Sequence, residues 1–181
     1  MVGASSLDSP RTLDDLLLYR ISHLLSTAGG VVVRLCEGEW GITRREWRVL
    51  ALLAACDGVL SSQLADRARL DRARTSRAVS SLVAKKLVAR QPHPGDGRAA
   101  ELRLTDTGRE LYERVFPRVA ALNRELVSVL SESDRAALDR MLAALRTQAE
   151  TMALRTPVPK ANRHLGGRRR AGSAPAVAGR A

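Results

Sequence analysis

Aromatic residues are scarce in this 181-residue sequence: two Trp, two Tyr and one Phe, 3% of the chain. Apolar residues nevertheless make up 45%, so aliphatic side chains must fill the core. Two cysteines cannot build a disulfide framework, which points to a reducing compartment. No apolar run reaches the length of a membrane span, so no membrane partner is expected. Met1 to Arg11 lacks the apolar segment of a secretory signal. His23, His93 and His164 have no metal-ligand partners at useful spacing. There is no glycine-rich phosphate loop and no arguable Ser–His–acid set. Catalysis, a metal and a cofactor are therefore not expected. What is abundant is positive charge: 30 Lys and Arg against 19 Asp and Glu, a formal net charge of +11. A soluble, cytoplasmic, basic protein calls for a polyanionic partner, and nucleic acid is the commonest.

The charge is concentrated in two places. Residues 155–181 carry seven basic residues and no acid in an Ala-, Gly- and Pro-rich setting without apolar period, which predicts a disordered basic tail. Residues 67–98 hold nine basic residues (Arg67, Arg69, Arg72, Arg74, Arg77, Lys85, Lys86, Arg90, Arg98) opposed only by Asp71 and Asp96. That block lies among periodic apolar residues, so it is the better pointer to a binding face.

Helices dominate the reading. After a disordered 1–11, Thr12 and Asp15 have the capping-box spacing. A stripe from Leu13 through Leu16, Ile21, Leu24, Leu25 and Val31 to Leu35 then marks a long helix, broken by Gly38 and Gly41. Thr43 with Glu46 caps a second, nearly all-round apolar helix to about Cys56. Ser61 opens a short helix to about Ala68, and Asp71 caps the next, to about Lys86. Leu87 to Gln91 reads as a strand that Pro92 should end. Glu101 to Thr105 reads as its hairpin partner. Thr105 caps a long helix over about 106–130, in which Pro117 should make a kink. Ser131 or Ser133 caps a last helix to about Leu154, with Leu138, Met141, Leu142 and Leu145 inward. The fold class is mainly α with a small two-stranded β wing: a winged helix-turn-helix over about 43–105, flanked by long helices over about 12–36 and 106–154.

The stretch Leu70 to Arg90 resembles the recognition helix of the MarR family of bacterial transcriptional regulators. The stretch Asp96 to Gly108 is similar to that family's wing, an Asp-x-Arg followed by Leu-Thr-x-x-Gly, and Glu46 to Leu50 matches a common form of its second helix. Gly97 stands where the family usually has a second Arg, and Lys86 where it has a glycine ending the recognition helix. The resemblance implies a homodimer paired through its first and last two helices. Bottom-up reasoning agrees, because these helices carry more apolar surface than one small winged domain covers. Such a dimer places two recognition helices one DNA turn apart, roughly 34 Å, matching a palindromic operator in double-stranded DNA. The expected role is a nucleoid-associated, sequence-specific regulator, a repressor released by a small effector.

On the recognition helix, helical spacing puts Thr75, Ala78, Val79, Leu82 and Lys86 inward. It puts Ala73, Arg77, Ser80, Ser81 and Ala84 outward, flanked by Arg74 and Ser76. Arg77 is central and suits a bidentate contact to guanine; Arg74 stands second, and Ser76, Ser80 and Ser81 suit phosphate or base edges. Arg72 and Arg90 belong to the same basic block. Ser61 and Ser62 open a helix whose amides can meet a phosphate, and Arg98 at the wing suits the minor groove, oriented by Asp96. The resemblance also implies an effector pocket between the dimer helices and the winged domain; its lining here would include Arg20, His23, Trp40, Arg44 and Arg48, suited to an aromatic carboxylate. Two rival readings stay open: a redox sensor using Cys36 or Cys56, with Arg34 lowering the Cys36 pKa, and a ligand-blind architectural DNA binder.

Overall fold

The computed structural model describes residues 6–56, 58–68, 71–93 and 96–155; Met1 to Ser5 and the basic tail beyond Arg155 lie outside them. Two compact units are present, Met1–Leu130 and Ser131–Ala181. In the first, a short 3-10 turn (Leu13–Asp15) precedes α1 (Leu17–Trp40), α2 (Arg44–Ala54), β1 (Val59–Leu60), α3 (Ser61–Ala68), α4 (Arg72–Ala84), β2 (Val88–His93), β3 (Asp96–Leu104) and α5 (Asp106–Val127). The second contains α6 (Glu132–Arg155).

The caps follow from local sequence. The Asp15 carboxylate accepts hydrogen bonds from the amides of Arg11 (3.0 Å) and Thr12 (2.9 Å), and Leu16 is extended (φ −74°, ψ 121°). α1 therefore starts at Leu17, later than its apolar stripe. Glu46 and Thr43 close a reciprocal capping box at α2: the Glu46 amide donates to Thr43 Oγ1 (3.2 Å) and the Thr43 amide to Glu46 Oε2 (2.6 Å). Thr105 Oγ1 accepts from the Gly108 amide (3.0 Å), and Ser131, rather than Ser133, accepts from the Asp134 amide (3.1 Å).

Four expectations are corrected. Gly38 does not break α1, which continues to Trp40; one internal glycine costs only about 1 kcal/mol, and Cys36 and Trp40 on either side pack into or against the core. The helix ends instead at Gly41, in the left-handed region (φ 60°). The sheet has a third strand: β1 pairs antiparallel with β3, Val59 opposite Leu102, giving the order β1-β3-β2. Two residues are too few to show a period in sequence. β2 runs through Pro92 to His93; proline is tolerated in an edge strand, and the register with β3 shifts between Pro92 and His93. Finally, Met141, Leu142 and Leu145 of α6 are exposed in the single chain, as are Leu18, Leu24, Leu25 and Val31 of α1 and Leu126 of α5.

The core is aliphatic, as the composition requires. Leu50, Leu53, Leu64, Leu82, Leu102 and Val115 are fully buried, bringing together α2, α3, α4, β3 and α5, with Cys36 near the end of α1 and Ile42 just beyond it. Trp47 is the aromatic in it and stacks on Tyr112 of α5 at 5.8 Å. α4 ends in a Schellman motif: the Leu87 amide donates to the Leu82 carbonyl (2.9 Å) and the Lys86 amide to the Val83 carbonyl (2.9 Å). Lys86 takes the left-handed conformation (φ 59°), the place where a glycine is easiest, and is exposed rather than inward. α5 begins against this turn. A Cβ on Gly108 would lie 2.0 Å from the Leu87 carbonyl oxygen, which explains the Thr-x-x-Gly spacing.

Candidate nucleic-acid interface

α4 is held from both ends. The Asp71 carboxylate accepts from the amides of Ala73 (2.9 Å) and Arg74 (3.1 Å). Thr75, Ala78, Val79 and Leu82 are buried, so one side of the helix is locked into the core. The opposite side presents Arg72, Ala73, Arg74, Ser76, Arg77, Ser80 and Ala84 to solvent. Small residues around the long cations leave Arg77 free of steric shielding; its Nε donates to the Ala73 carbonyl at 3.3 Å, which aligns the side chain along the helix. Arg90 is exposed on β2, opposite Leu102 of β3. Ser61 and Ser62 form the first turn of α3 and Arg98 lies on β3; the side chains of these three, and of Asp96, lie outside the described ones.

Two residues of the basic block do not behave as open cations or contacts. Ser81 is half-buried and donates a hydrogen bond to the Glu46 carboxylate. Lys85 Nζ lies 2.9 and 3.1 Å from the Glu46 oxygens and 2.8 Å from the Gly41 carbonyl. Glu46 is 2% exposed. Burial alone would raise its pKa, but hydrogen bonds from Ser81, the Thr43 amide and Lys85 outweigh that and hold the carboxyl below the usual range. The capping role of Glu46 was visible in sequence; its pairing with a lysine 39 residues away was not. A cleft of about 320 Å³ lies between the first turn of α2 (Thr43, Arg45, Glu46) and α4 (Arg74, Arg77, Ser81). Arg45 is a member that no spacing argument had singled out.

The candidate effector residues are not all brought together. Arg20, near the start of α1, is exposed and donates to the Asp14 carbonyl, Ser6 Oγ (2.9 Å) and Asp15 (3.5 Å). His23 is exposed. Trp40 ends the same helix, and at helical rise the twenty residues between Arg20 and Trp40 span about 30 Å, too far for one small pocket in one chain. Trp40 packs against the core with the Arg118 guanidinium 6.0 Å from its ring centroid. Arg44 and Arg48 are half-buried on α2, and the Arg44 guanidinium lies against α1 at Gly29.

The thiol expectation is also corrected. Cys36 is fully buried, and burial, with Glu37 adding to it, raises its pKa; Arg34 does not lower it. Cys56 is half-buried and accepts a hydrogen bond from Arg67 Nη1 at 3.3 Å.

A helix locked on one side and bare and basic on the other, followed by an antiparallel wing, defines a winged helix-turn-helix protein. The MarR family profile matches residues 40–99. A MarR/EmrR family transcriptional regulator from Acinetobacter sp. ADP1 superposes with a TM-score of 0.72 at 25% identity, covering 78% of this chain and all of that one. A probable transcriptional regulator from Pseudomonas aeruginosa gives 0.62 at 26% identity, covering 74% of this chain and 99% of its own. The transcriptional repressor CouR, bound to a 23-mer DNA duplex, gives 0.66 at 27% identity, covering 74% of this chain and 94% of its own. No curated protein matches the sequence. Over residues 40–99 the chain is similar to the MarR family, and its fold is the winged helix-turn-helix of MarR/EmrR transcriptional regulators.

Proposed function

We propose that the protein reads a palindromic operator in double-stranded DNA as a homodimer, and that it represses transcription until a small effector releases it. The observation that carries the DNA-binding part is the outer face of α4, where Arg72, Arg74, Ser76, Arg77 and Ser80 are exposed while Thr75, Ala78, Val79 and Leu82 are buried. A helix anchored in this way presents its cations rigidly, as groove recognition requires. Arg77 is the assigned base contact, Arg74, Ser76 and Ser80 its neighbours, and Arg90 and Arg98 the wing's contribution. Ser81 is withdrawn from that set because it serves Glu46. Dimerisation is supported by exposed leucines on α1 and, separately, by the exposed Met141, Leu142 and Leu145 of α6, apolar faces of the kind that mark an interface. CouR, a repressor seen on a DNA duplex, supports the repressor reading. For the effector, Arg44 is favoured over Arg20, because its guanidinium already sits against α1; an anion bound there changes operator affinity only if it binds the two dimer geometries unequally.

The test is selection of bound fragments from genomic DNA by the purified full-length protein. The expected result is enrichment of sites sharing a palindrome. Arg77→Ala should then cost about 1–3 kcal/mol on such a site and relax one base position per half-site. No enrichment over random fragments overturns the reading.

A further inference from the structure

We propose that the cleft between the first turn of α2 and the outer face of α4 is a subsite for a DNA backbone phosphate, with Arg45 as the residue that grips it. This rests on the DNA-binding reading above and extends it to a residue and a helix, α2, that precede the recognition helix and wing.

The argument is one of charge accounting at a defined place. Arg45, Arg74 and Arg77 border the same cleft. The acid on its wall is Glu46, and both Glu46 oxygens are taken, by Lys85 at 2.9 and 3.1 Å and by the Thr43 amide at 2.6 Å. Glu46 and Lys85 therefore cancel, and the cleft keeps the charge of its three guanidinium groups. Among the described residues, neither Arg45 nor Arg74 has an ion-pair partner. Arginine's planar fork suits the paired oxygens of a phosphodiester. Arg77, the base-contacting candidate, lies on the same rim, so a strand whose bases Arg77 reaches carries its own phosphates past Arg45. Phosphate contacts of this kind fix register and orientation rather than sequence.

The class of anion follows from exposure. Arg45 and Arg74 are solvent-exposed, and an exposed cation holds a free small anion weakly against salt and water. A nucleic-acid polyanion gains in addition from releasing its condensed counterions when a cation meets a phosphate. Lys85 is the instructive contrast. Sequence counts it in the same basic block, yet its ammonium is committed to Glu46 and the Gly41 carbonyl, so it positions α4 against α2 and leaves the phosphate to Arg45.

The experiment compares the full-length wild type with Arg45→Ala and Arg45→Lys on two duplexes of equal length, one random in sequence and one carrying a selected site. Binding is measured across a salt series. Arg45→Ala should lower the slope of log affinity against log salt by about one, reduce affinity by the same factor on both duplexes, and leave the melting temperature unchanged. Arg45→Lys should restore the slope. An unchanged slope in Arg45→Ala overturns the subsite, and so does a loss confined to the selected site, which would mean that Arg45 reads bases. Sodium phosphate should compete no better than sodium chloride at matched ionic strength. Stronger competition by phosphate in the wild type but not in Arg45→Ala would make the cleft a free-anion site instead, and would overturn the proposal. A wild type that binds neither duplex overturns the DNA-binding reading itself, and the subsite with it.

Discussion

Lys85→Met is the perturbation that best tests how the recognition helix is held. The methionine keeps the apolar stem and removes the ammonium, leaving Glu46 buried with only the Thr43 amide and Ser81 as donors. Breaking a fully buried pair from one side costs about 3–5 kcal/mol. The Lys85 side chain is 37% exposed, so water screens part of the pair, and two donors to Glu46 survive; the expected loss is about 2 kcal/mol, the range of a hydrogen bond to a charged group. Urea unfolding at pH 7 and fixed protein concentration measures it. The pH dependence has a definite sign. Glu46 is held below its ordinary value of 4.5, so its ionised form contributes stability that is fully present above that value and is lost as pH falls through the lower folded one. The gap between wild type and Lys85→Met should therefore narrow on acidification below about pH 4.5. A variant within about 0.5 kcal/mol of wild type at pH 7, the ordinary range for a surface substitution, refutes the reasoning. A gap that widens on acidification refutes it equally.

Gly108→Ala should destabilise by about 3 kcal/mol, the upper end for overpacking, because the added Cβ meets the Leu87 backbone carbonyl at 2.0 Å; thermal unfolding of the variant checks this. Lys86→Gly should be neutral to stabilising by up to about 1 kcal/mol, since relief of the left-handed strain is partly offset by the freer unfolded glycine; a clear loss in urea unfolding would show that the lysine side chain has another role. A thiol reagent at mildly alkaline pH should label Cys56 in the native protein and reach Cys36 only on denaturation, because Cys36 is fully buried and its thiol is pushed up by that burial. Equal labelling of both cysteines in the native state, read by mass spectrometry, would contradict this.

The features legible in sequence are those made within a turn or so of chain. Thr43 with Glu46, Asp71 before α4, and Thr105 three residues before Gly108 are caps whose partners lie two to three residues apart, so a linear reading contains both ends of each bond. The inward side of α4, from Thr75 to Leu82, was legible for the same reason: helical period alone assigns it. The left-handed position at Lys86 was visible as a departure from a resembling motif. Tertiary structure decided what depends on distant partners. β1 exists because Val59 meets Leu102, and two residues carry no period of their own. Lys85 counts as a binding-face cation until Glu46 is found 39 residues earlier at 2.9 Å, and Arg45 gains a role only when α4 is laid beside α2. The apolar surplus of the flanking helices was readable in sequence, but which α6 residues stay exposed in one chain, Met141, Leu142 and Leu145, was not. Periodicity tells which side of a helix is apolar, and only the packing of the other elements tells whether anything lies against it.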